Sequence, residues 1–85
     1  MHFTTFVTET PIPHLQRALD ELRRCGFELC AVTMAPGDAG SEVRIEFLPC
    51  GAVQANTLVA RLSRLPEIGA VEGGPVGSMV AREAD

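Results

Sequence analysis

The sequence predicts an α+β domain in which a β-α-β unit occurs twice, giving a four-stranded antiparallel sheet with two helices on one face. Three observations carry that prediction. Leu15, Ala18, Leu19 and Leu22 recur at i, i+3, i+4 and i+7, and Ala55, Leu58, Val59 and Leu62 do the same, so the chain holds two amphipathic helices. Val43, Ile45 and Phe47 alternate with Glu42, Arg44 and Glu46, the period of a half-buried strand. The halves also superimpose. A displacement of forty residues lays the first helical set onto the second, and Phe3, Thr5 and Val7 onto Val43, Ile45 and Phe47. A displacement of thirty-nine lays Glu28 to Val32 onto Glu67 to Val71. The order is β-α-β-β-α-β, the ferredoxin-like split βαβ arrangement. Right-handed crossovers then place both helices on the same side, leaving the other sheet face open or available as an interface.

In order along the chain, Phe3 to Thr8 reads as a strand, with Phe3, Thr5 and Val7 on one side. Ile12 precedes a proline and is biased away from helical backbone, so the first helix is expected from Pro13, where a missing N–H costs nothing. Its outer side offers Arg17 to Glu21 and Asp20 to Arg24 as i,i+4 pairs, each worth about 0.2–0.5 kcal/mol. Gly26 is the helix stop, and Glu28 to Met34 is the second strand. Pro36 to Gly40 is expected as a turn. The third strand spans Val43 to Phe47 and ends at Pro49-Cys50-Gly51. The second helix ends before Pro66, and Ile68 to Val71 is the fourth strand. Residues 1–72 are expected to form the domain, and the glycine-rich, then polar residues 73–85 a tail or a short added edge.

Composition narrows the function. A net charge of −4, no lysine and seven scattered arginines argue against a nucleic-acid surface. No apolar run is long enough for a membrane span and no signal pattern opens the chain, so a cytoplasmic location is expected. Cys25, Cys30 and Cys50 fit neither a disulfide framework nor a zinc site, and are expected as buried, reduced thiols. Without Trp or Tyr the core of so small a chain is thin, and further burial in a dimer or complex is favoured.

Candidate chemistry is sparse. His2 and His14 have no carboxylate, serine or cysteine at a triad spacing, and loop exposure is the expectation for both. The glycines match no dinucleotide or phosphate-loop fingerprint. The best ligand-site candidate is Glu9 to His14, because it leads into a helix start whose N–H groups favour a carboxylate. An ordinary proline-stiffened connection explains it equally well. No metal, cofactor or catalytic residue is expected.

The segment RALDELRRCGFELCAVTMAP (17–36), followed by an alternating strand and RLSRLPEIGAVE (61–72), resembles the ACT-domain regulatory subunits of acetolactate synthase. Gly26-Phe27 matches their glycine-aromatic turn and Val32 to Pro36 their strand end, and the similarity runs over residues 3–72, closest to the short single-domain type. The resemblance implies a non-catalytic subunit that binds and activates a large catalytic subunit in branched-chain amino-acid biosynthesis and, in many members, relays feedback by valine. Thiamine diphosphate, Mg and FAD would belong to that partner. It also implies a homodimer through sheet edges, with the effector between the loop Thr10, Pro11, Ile12, Pro13 and His14 of one copy and Leu29, Cys30 and Ala31 of the other.

The departures fall on that loop. Valine-responsive members carry asparagine at the position of Thr10 and glycine at that of Pro13. Proline removes a backbone donor and blocks the close approach that glycine allows. A lost charge-assisted hydrogen bond is worth about 1.5–3 kcal/mol. The expectation is an activating subunit with weak or absent valine response. The alternative is a stand-alone ACT-type small-molecule (amino-acid) sensor domain.

Overall fold

The computed structural model describes residues 1–76. Its elements are β1 (His2–Thr8), α1 (Pro11–Cys25), β2 (Glu28–Gly37), β3 (Gly40–Leu48), α2 (Asn56–Leu62) and β4 (Ile68–Pro75). The strands form one antiparallel sheet in the order β2-β3-β1-β4, the ferredoxin-like βαββαβ topology expected. Ala18 and Leu22 from α1, with Leu58 and Leu62 from α2, close over Phe6, Val43, Ile45 and Phe47 to make the core. Phe27 stacks on Phe47 with ring centroids 5.3 Å apart.

The side of β1 that faces the helices is the reverse of the one expected. Thr4, Phe6 and Thr8 are buried, while Phe3, Thr5 and Val7 lie on the open face. The register requires it, since Thr4 pairs with Ile45 and Phe6 with Val43, whereas Phe3 pairs with Glu46 and Thr5 with Arg44. Two buried hydroxyls make this tolerable because each is hydrogen-bonded. The Thr4 hydroxyl donates to the Glu72 carbonyl at 2.8 Å, tying β1 to β4, and Thr8 is satisfied at the start of α1. The internal repeat of the strands is therefore thirty-nine residues, matching Phe6 with Ile45 just as it matches Val32 with Val71. On the open face the Arg44 guanidinium lies 4.2 Å from the centre of the Phe3 ring and 3.1 Å from Glu46.

Helix α1 starts at Pro11, two residues before the expected Pro13. The bias against helical backbone before proline is a preference only, and neither proline loses an intrahelical bond in the first turn. Its end follows the expectation. Gly26, at φ 79°, donates to Arg23, and the Phe27 N–H reaches the Leu22 carbonyl at 3.2 Å, a Schellman closure with Leu22 and Phe27 both buried beneath it. Glu21 meets Arg61 of α2 at 3.4 Å, linking the two helices. Asp20 binds both Arg23 and Arg24; the hydrogen bond from Arg23, with the positive charge of Arg24, holds its carboxyl below the usual aspartate range.

The turn expected over Pro36 to Gly40 contracts to Asp38-Ala39, with Gly37 paired to Gly40. Pro36 enters β2 because β2 is an edge strand, the one place in a sheet where proline is accommodated. Gly40, at φ 124°, sits where a Cβ would be 2.7 Å from the Thr8 carbonyl oxygen. Cys25 is buried as expected, but Cys30 and Cys50 are exposed. Cys30 occupies the irregularity between Leu29 and Ala31 on the edge strand, and Cys50 follows the end of β3. Strand β4 continues through Gly73 and Gly74 to Pro75, so the first residues of the expected tail belong to the sheet. The rest of that expectation, 77–85, lies outside the described residues.

Candidate functional site

The loop between β1 and α1 is organised by one imidazole. Thr8, at 2% exposure, accepts a hydrogen bond from the Thr10 N–H at 3.0 Å and holds His14 Nδ1 through its hydroxyl. The Thr10 hydroxyl lies 3.2 Å from the same nitrogen. The Thr8 hydroxyl, while accepting from the Thr10 N–H, keeps a proton and a second lone pair, so it can pair with Nδ1 in either imidazole tautomer. His14 is thus a half-buried structural partner of two threonines, and not an exposed loop histidine.

The helix start is poor in donors. Thr10 is the N-cap residue and makes no side-chain cap bond. Pro11 and Pro13 have no N–H, and the His14 N–H is engaged with the Thr10 carbonyl at 3.4 Å. Ile12 therefore carries the one backbone donor among the first three helical positions. A normal helix start would present three, and it is that set which attracts an anion.

Beside Thr10 a cleft of about 580 Å³ is lined by Val7, Thr8, Glu9, Thr10, Ala39, Glu67, Gly69 and Ala70. Of the residues expected at the site it takes in Thr10 alone. Its two ionisable lining residues, Glu9 and Glu67, are both acidic, an arrangement that repels a carboxylate. Glu67 and Ala70 have φ of 69° and 53°, backbone that residues bearing a Cβ rarely adopt. These positions escaped the sequence reading because they come from the start of β4, brought beside Thr8 by register: Thr8 pairs with Ile68 and Val7 with Gly69.

The other half of the expected site lies elsewhere. Leu29 pairs with Phe47, which pairs in turn with His2, so Leu29 to Ala31 are level with the start of β1. Thr10 follows the end of β1. Six residues of strand separate the two levels, about 20 Å at ~3.3 Å per residue. Within one chain the loop and the strand segment do not meet. Leu29, 45% exposed on the edge strand, remains open to another molecule.

Helices on one side, an open sheet on the other and a loop at a helix start define a ferredoxin-like domain with its candidate site in a βα connection. The chain belongs to the ACT-domain family, whose model matches residues 13–71. ACT domains are regulatory, small-molecule-binding modules and not catalysts. No curated protein matches the chain. Among the described residues no helix is long and apolar enough to cross a membrane, and no three of His, Cys, Asp or Glu gather as a metal set.

Proposed function

We propose that this ACT domain is the regulatory subunit of a cytoplasmic acetolactate synthase, activating the large catalytic subunit with weak or absent feedback by valine. The cofactors of the reaction stay with that partner. The partner assignment rests on the resemblance of residues 17–36 and 61–72 to such subunits. The observation that carries the altered feedback is the first turn of α1, where Pro11 and Pro13 leave only the Ile12 donor and Glu9 and Glu67 stand beside the cleft. A valine carboxylate finds little there to hold it.

Mixing the purified chain with the large subunit of the same organism tests this reading. Co-elution, faster pyruvate condensation and little change on adding valine are the expected results. No co-elution and no change in rate would sink it. The cleft beside Thr10 favours a second reading, an ACT-type sensor of a small molecule that is not an anion. A thermal-shift screen distinguishes the two, since a ligand at a hundred times its Kd stabilises by about 2.7 kcal/mol.

A further inference from the structure

The sheet face turned away from the helices has an unusual pattern. Where one face of an antiparallel sheet meets water, strands alternate apolar inward and polar outward. Strand β1 does the reverse: it buries Thr4 and Thr8 beneath the helices and turns Phe3 and Val7 to the open side. Register carries the same character onto β2, where the exposed Ala31, Thr33 and Ala35 pair with Glu46, Arg44 and Glu42. Leu48, 40% exposed, follows the buried Phe47 and so lies on the open side as well. Small and apolar side chains therefore occupy much of this face.

Charge is sorted between the two layers. Among the described residues the open face carries Glu28, Glu42, Glu46 and Glu72, placed there by pairing with Leu48, Val7, Phe3 and Thr5, against one arginine, Arg44. Arg44 is engaged by Glu46 and by the Phe3 ring. Glu28, Glu42 and Glu72 are exposed and have no ion pair among the described residues. The helices hold the opposite balance, with Arg17, Arg23, Arg24 and Arg61 against Asp20 and Glu21.

We infer, resting on the partner assignment proposed above, that this open face docks the catalytic subunit and takes from it a basic protein surface with an apolar centre. Apolar side chains within a polar rim are the anatomy of a protein interface. The three unpaired carboxylates fix the sign of the partner's rim. A second copy set face to face would bring carboxylates against carboxylates. One set with its helices on this face would match in sign, but that contact is heterologous and builds open stacks, not a closed assembly.

Calorimetric titration of the full chain into the large subunit tests this. The unaltered chain should bind, more weakly as salt is raised. Glu42→Lys and Glu72→Lys should each weaken binding severalfold, and together at least tenfold. Asp38→Lys makes the same change of charge in the turn between β2 and β3, off this face, and should bind within about twofold of the unaltered chain. If the double variant fails to fold, Thr33→Lys, at an exposed position on the same face, should weaken binding severalfold. Unchanged binding by a folded face variant, or an equal loss in Asp38→Lys, would overturn the inference and leave the partner assignment standing. No binding by the unaltered chain would overturn both. Sedimentation of the chain alone into stacks that grow with concentration, and that Glu42→Lys with Glu72→Lys abolishes, would overturn it in favour of a second copy.

Discussion

The two histidines occupy opposite ends of the sheet and have opposite surroundings. His14, beyond the end of β1, is held at Nδ1 by the hydroxyls of Thr8 and Thr10. His2, at the start of β1, has a buried Nδ1 with no hydrogen-bond partner among the described residues. The first βα connection is short, and the Thr8, Thr10 and His14 side chains pair with one another across it. The second, 49–55, is longer and leaves a cleft between α2 and the sheet. A repeated β-α-β plan thus gives two junctions of different length and different surroundings. The teaching is that equivalent βα junctions of a repeated scaffold can be closed by different means, the first by side-chain hydrogen bonds and the second by a longer loop.

The comparison can be broken most strongly at the His2 end. Gly73→Ala drives a methyl group against Val59 Cγ2 and the Phe3 carbonyl, and the backbone atom cannot swing aside. A loss of about 1–3 kcal/mol is expected, the usual cost of overpacking, read from the midpoint of urea unfolding. An unchanged midpoint would show that α2 is less tightly held over β4 than described. At the His14 end, Thr8→Val keeps the side-chain shape and removes one hydroxyl, leaving the Thr10 N–H and His14 Nδ1 short of a partner. About 1–2 kcal/mol should be lost by the same measurement. A loss near zero would mean that the cluster is not the organiser of the loop.

The smallest effect has the opposite sign. Ala70 sits at φ 53° on the rim of the cleft beside Thr10. Glycine adopts that backbone without the Cβ conflict, at some cost in chain entropy. Ala70→Gly should therefore raise stability by about 0.5–1 kcal/mol, seen as a higher melting temperature. A lower one would show that the alanine methyl makes contacts worth more than the strain.

Much of the architecture was legible before any coordinates. The spacing of Leu15, Ala18, Leu19 and Leu22, the alternation around Val43, Ile45 and Phe47, and the Gly26 stop all survive in the fold, because each is a local pattern with a local cause. The β1 face was misread for a definite reason. Phe3 and Val7 are apolar while Thr4 and Thr8 are not, and hydropathy alone cannot tell that both buried hydroxyls have partners. The start of α1 was misplaced by giving the pre-proline bias at Ile12 more weight than the two prolines together, which suit a first helical turn. Of the candidate site, Thr10 and the prolines were visible as a loop. Glu67, Ala70 and the cleft around His2 were not, since they depend on which strands become neighbours.

What the sequence determined by itself is the order of elements and the family, because helix and strand periods and a glycine stop are written within a few residues of one another. What only the tertiary structure decided is which polar groups end up satisfied. Strand register brings Thr4 to Glu72 and Ile68 beside Thr8 across more than fifty positions of chain, and no local pattern encodes such a pairing. The pairing of His14 with the Thr8 and Thr10 hydroxyls is by contrast local, within six positions of chain.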